Sequence, residues 1–98
     1  MKFSKELHTD IIQILKQQGL QQEHFHFRKK RGRVIVFTDL SEATFSFFLD
    51  NSMVIDAVNG DFQRKQEWLI KINNENVFIV ENWKEVLTHF ERWLSKIN

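Results

Sequence analysis

Apolar positions in the first stretch of the chain recur at three- and four-residue spacing. Phe3, Leu7, Ile11, Ile14 and Leu15 fall on one side of a helix that this pattern predicts over residues 4–18. Ser4 is placed to cap its start, Gly19 fits the left-handed position that ends a helix, and Lys16 in the last turn suits the dipole. His8 and Ile12 widen the stripe. From residue 24 the period becomes two. HFHFRK and RVIVFTD read as two strands joined at Lys30, Arg31 and Gly32, with Gly32 supplying the positive φ of a bulged hairpin turn. ATFSFFL predicts a third strand, with Phe45, Phe47 and Leu49 on one face and Phe48 on the other. MVIDAV predicts a fourth after Asp50, Asn51 and Ser52, Asn59 and Gly60 a turn, and EWLIKI a fifth strand. VFIV, after the polar NNEN, is either a short sixth strand or the lead-in to the last helix.

In NWKEVLTHFERWLSKIN, Asn82 is an N-cap and Glu85, three residues later, completes a capping box. Trp83, Val86, Leu87, Phe90, Leu94 and Ile97 form the apolar stripe, with Trp93 at its edge beside His89. Together these elements predict an α+β fold: an antiparallel five- or six-stranded meander packed on one face by N-terminal and C-terminal helices. At 98 residues, 42% of them hydrophobic, the chain has the size and core of a single compact domain over residues 1–98.

Several chemistries drop out on composition. The chain has no cysteine, which removes disulfides, thiolate metal sites and cysteine nucleophiles. No run approaches the roughly 18 apolar residues of a membrane span. MKFSKELHTDIIQIL lacks the continuous apolar region of a signal peptide. A cytoplasmic protein is expected, bacterial in its style of sequence, with no membrane partner. The serines at 4, 41, 46, 52 and 95 lack a glycine-flanked elbow, and no glycine-rich loop is present to cradle a phosphate. His24 and His26 alternate with Phe25 and Phe27, so both imidazoles share a strand face, and Asp39 lies on the neighbouring strand. Two histidines fall short of the three protein ligands of a zinc site. No catalytic, metal or cofactor residue is therefore assigned, and an enzyme is not the expected class.

Charge and aromatic content bear on binding instead. Arg28, Lys29, Lys30, Arg31 and Arg33 supply five of the fourteen positive charges, leaving nine basic and thirteen acidic residues elsewhere. An acidic body thus carries one basic hairpin. That tip either guards a sheet edge or neutralises phosphates of a nucleic acid. Phe25 and Phe27 could stack on bases, but burying them explains their alternation more simply. Ten phenylalanines and three tryptophans are more than a small core needs. A sheet covered on one face leaves Phe48 on the other, and the flank of the last helix offers Trp93 and His89, so these three residues are candidates for contact with a protein partner or a second copy.

The pattern Trp83, Val86 and Leu87, Phe90, Trp93 and Leu94, after the phenylalanine-rich TFSFFLD, resembles a small α+β domain of uncharacterised bacterial proteins in which a tryptophan-anchored helix closes a short meander. Asn59 and Gly60 stand where that group has a proline-glycine turn. The resemblance spans residues 44–97, and the group accompanies effector- or defence-type modules. It implies a non-catalytic recognition or adaptor role. The sequence thus points first to a protein-interaction or adaptor module acting through exposed aromatic surface, and as an alternative to a nucleic-acid-binding domain that uses Arg28 to Arg33.

Overall fold

The computed structural model describes residues 5–55 and 62–97. Helix α1 spans Lys5–Gln17, and a 3-10 turn at Gln22–His24 leads into strands β1 (Phe25–Lys30), β2 (Arg33–Thr38), β3 (Thr44–Ile55), β4 (Phe62–Ile72) and β5 (Asn76–Val80), followed by helix α2 (Trp83–Ile97). The strands pair antiparallel in chain order, each beside its predecessor. This is the α+β meander flanked by two helices that the apolar pattern predicts. Among the described residues no helix is long and apolar enough to cross a membrane.

Local chemistry sets the element ends. At the end of α1, Gly19 takes φ 74°. The Leu20 N–H donates to the Leu15 carbonyl at 2.9 Å and the Gly19 N–H to Lys16 at 3.1 Å, which satisfies carbonyls that the helix leaves open. The capping box of α2 forms as read: the Glu85 N–H donates to Asn82 Oδ1 at 3.0 Å, and Glu85 Oε2 accepts from the Asn82 and Glu81 N–H groups. Ser4 and the Asn59–Gly60 turn lie outside the described residues.

Among the described residues the strand count resolves at five, because one predicted break does not break the ladder. Asp50, Asn51 and Ser52 pair with Glu67, Gln66 and Lys65, so ATFSFFL and the start of MVIDAV belong to one 12-residue strand. A partner strand supplies the hydrogen bonds that decide strand continuity, whatever the local propensity. VFIV is a strand, β5, at one edge of the sheet.

The first hairpin differs from expectation as well. Lys30 pairs directly with Arg33, leaving a two-residue loop in which Arg31 (φ 52°) and Gly32 (φ 80°) are both left-handed. This is a tight turn of the primed type, with no bulge. A Cβ on Gly32 would also meet the Phe48 ring at 3.4 Å. Arginine at a left-handed position is strained by about 1–2 kcal/mol. Arg31→Asn, which tolerates that conformation, is expected to stabilise the protein by about 1 kcal/mol, read from the urea midpoint.

Both helices lie on the same side of the sheet. Ile11, Ile14 and Leu15 of α1 and Val86, Phe90, Trp93 and Leu94 of α2 join Phe25, Val34, Val36, Phe45, Phe47, Trp68 and Ile70 in one buried cluster. The Trp83 Nε1–H donates to Asp10 Oδ2 at 2.9 Å and ties α2 to α1. Trp93 corrects the expectation of an outward flank. It is 2% exposed, packed between Phe90 at 5.7 Å and Phe45 at 5.8 Å, with Phe25 edge-on at 6.4 Å. The burial of Val86, Phe90, Trp93 and Leu94 places the centre of the α2 stripe one column over from the Trp83 and Leu87 side.

Candidate functional site

Directly paired residues of an antiparallel sheet share a face, so the register fixes what the helix-free face carries. Phe25, Val36, Phe45 and Ile72 lie on the helix side, as do Val34, Phe47, Ile70 and Phe78. The other face therefore presents His26, Arg28 and Lys30 of β1, Arg33, Ile35 and Phe37 of β2, Ser46 and Phe48 of β3, Leu69 and Lys71 of β4, and Val77 and Ile79 of β5. Ile35, Phe37, Phe48 and Leu69 are half-buried there by their neighbours alone. Ile35, Phe37 and Leu69 join Phe48 here without being candidates on sequence grounds. The sequence carries a signal for Ile35 and Phe37: RVIVFT is apolar at four consecutive positions, which gives a strand two apolar faces.

The basic hairpin is brought onto this face with one exception. Arg28, Lys30 and Arg33 point to it and Arg31 sits at the turn, whereas Lys29 pairs with buried Val34 and so lies on the helix side. Lys30 and Arg33 stand directly opposite each other, a like-charge pair that costs stability unless an anion lies between them. No carboxylate among the described residues is within ion-pairing distance of these four cations. The Arg28 guanidinium lies 5.7 Å from the centre of the Phe37 ring, and His26 lies 5.3 Å from the same ring. Lys30, Arg31, Arg33, Ile35 and Phe48 line an open cavity of about 300 Å³. Its floor is apolar, its rim is cationic, and Gly32 lets the turn approach the Phe48 ring. Asp50 and Glu67 pair across β3 and β4 two positions further along the same face and close the basic region on that side.

The remaining candidates scatter. Phe48 lies under the cationic rim, Trp93 in the core, and His89 beyond the other end of the sheet, where its ring lies 4.7 Å from Phe78. The three do not form one patch. His24 and His26 separate too: His24 Nδ1 lies 2.9 Å from Asp39 Oδ1, while His8 meets Phe27 edge-on at 4.9 Å on the helix side. Among the described residues no three histidines or carboxylates come together as a metal site.

Burial and, to a smaller degree, the nearby Arg92 charge hold the His89 imidazole below its ordinary value of 6.5, against a raising effect from Glu85. The unfolded chain thus takes up a proton near 6.5 while the folded chain still resists it. This contribution to stability is complete above that value and declines as the pH falls below it. His89→Gln is expected to show a shallower acid-side fall in urea midpoint than the parent between about pH 7 and 5.

Compared with family models, curated proteins and solved structures, the chain matches none. The site is therefore read from its own geometry.

Proposed function

We propose that the protein is a binding module that takes single-stranded nucleic acid along β1 and β2 on the helix-free face of its sheet. One observation carries this reading: four cations that have no carboxylate partner among the described residues sit beside the rings of Phe37 and Phe48, on a face that neither α1 nor α2 covers. Phosphates need the cations, and unpaired bases can stack on aromatic rings, a combination that a duplex with its bases already stacked uses poorly. The Asp50 and Glu67 row repels phosphate, so the strand runs from the Lys30–Arg33 rung toward Phe37 and His26.

The test is fluorescence anisotropy with labelled oligouridine and oligothymidine. Contact with four phosphates predicts a log-log salt slope near −3 for a single strand, or roughly fiftyfold weaker binding on going from about 50 to 200 mM salt. Failure of both oligomers to bind at the lower salt would sink the proposal.

The protein-interaction or adaptor role, which the sequence puts first, stands here as the second reading, and a different observation favours it. Val77, Phe78 and Ile79 are exposed at 53%, 39% and 61%, three consecutive large apolar residues on one edge strand. His89 keeps a place in this reading through its contact with Phe78. Phe48 would serve it only at the far margin, and Trp93 not at all.

A further inference from the structure

The two edges of the sheet are unlike. On β1, Arg28, Lys29 and Lys30 place exposed charge along the rim, a common means of preventing strands from adding to an edge. On β5 the sequence NVFIV has no charge and no proline, and three of its side chains are exposed. Val77 and Ile79 face the helix-free side, while Phe78 faces the helix side, where His89 lies against its ring. A strand added to this edge would set alternate side chains against Val77 and Ile79 on one face and against Phe78 and His89 on the other.

Charge defines the occupant. Exposed Glu75 and Glu81 bracket β5. Each end of the edge therefore carries a carboxylate. A second copy pairing antiparallel about Phe78 would set Glu75 of each chain against Glu81 of the other, an arrangement of like charges that opposes it. Nucleic acid is repelled by the same groups. Lys71 lies opposite Val77 on the neighbouring strand, toward the Glu75 end.

We propose that β5 is a docking edge for an extended peptide with apolar residues at alternate positions and lysine or arginine at its ends. This rests on the protein-interaction reading and supplies its partner chemistry. The probe is a fluorescein-labelled peptide of alternating valine and threonine bracketed by lysines, with a glutamate-bracketed copy as its control. The lysine peptide is expected to bind about tenfold or more tighter, with backbone amide shifts centred on residues 76–80. Val77→Lys with Ile79→Lys is expected to abolish binding. Glu75→Lys with Glu81→Lys, which leaves the apolar strip intact, is expected to reverse the preference between the two peptides. Equal binding of the two peptides would overturn the proposal. If neither binds but Val77→Lys with Ile79→Lys turns a dimer into a monomer in sedimentation, the occupant is a second copy: the interaction reading stands and this proposal fails. If neither binds and sedimentation is also unchanged, both fail.

Discussion

Trp93→Ala is expected to lower stability by about 3–5 kcal/mol, a large share of the roughly 5–15 kcal/mol that holds a domain together. The side chain is 2% exposed and contacts aromatic rings from β1, β3 and α2, so its removal leaves a void at the point where three elements meet. Those neighbours are themselves held by the sheet and by the Trp83–Asp10 hydrogen bond, which limits how far they can relax into the gap. Trp93→Phe separates packing from polarity. Trp93 Nε1 is buried without an acceptor among the described residues, so phenylalanine loses volume but also removes an unsatisfied donor. Its cost is expected to be less than half that of alanine in the same urea titration. A cost below about 1 kcal/mol for Trp93→Ala would mean that the ring is not in the core and would return it to the surface.

The reach of sequence reasoning follows the range of the forces involved. Gly19, Asn82 and Glu85 were legible because caps are local: donor and acceptor lie within a few residues, and the side-chain chemistry is specific. Trp93 was misplaced because helical spacing alone does not fix which column of a wide stripe faces the core. Val86, Phe90, Trp93, Leu94 and Ile97 are as regular a series as the one starting at Trp83, and the aromatic cluster around Phe45 decides between them. Strand continuity through Asp50 was hidden because it depends on β4, some seventeen residues away along the chain. The cations were visible as composition, but their pairing was not. Only the two-residue turn sets Lys30 against Arg33 and sends Lys29 to the other face; a bulged turn would have changed that register.

Cations and rings are expected to fail differently, and the difference tests the proposed interface more sharply than loss of binding does. Converting Lys30, Arg31 and Arg33 together to glutamine removes three of the four proposed phosphate contacts. The salt slope should shrink by about 2, leaving little salt dependence between roughly 50 and 200 mM. Affinity at the lower salt should fall by one to two orders of magnitude or more, since each lost contact also forfeits its released counterion. Phe48→Leu keeps an apolar side chain under Gly32 and removes only the aromatic face. It is expected to weaken binding by about 1–3 kcal/mol, the worth of one stacked base, with the slope unchanged. Asp50→Asn acts in the opposite sense, because it removes a charge that repels phosphate at the end of the path and relieves the like-charge pair with Glu67. It should tighten binding at low salt and lose that advantage as salt is added. The pattern as a whole is decisive. If Phe48→Leu altered the slope, or if the triple glutamine variant kept it, neither phosphate nor base would be where the proposed interface needs them. A basic hairpin that merely guards an edge predicts no effect from any of the three.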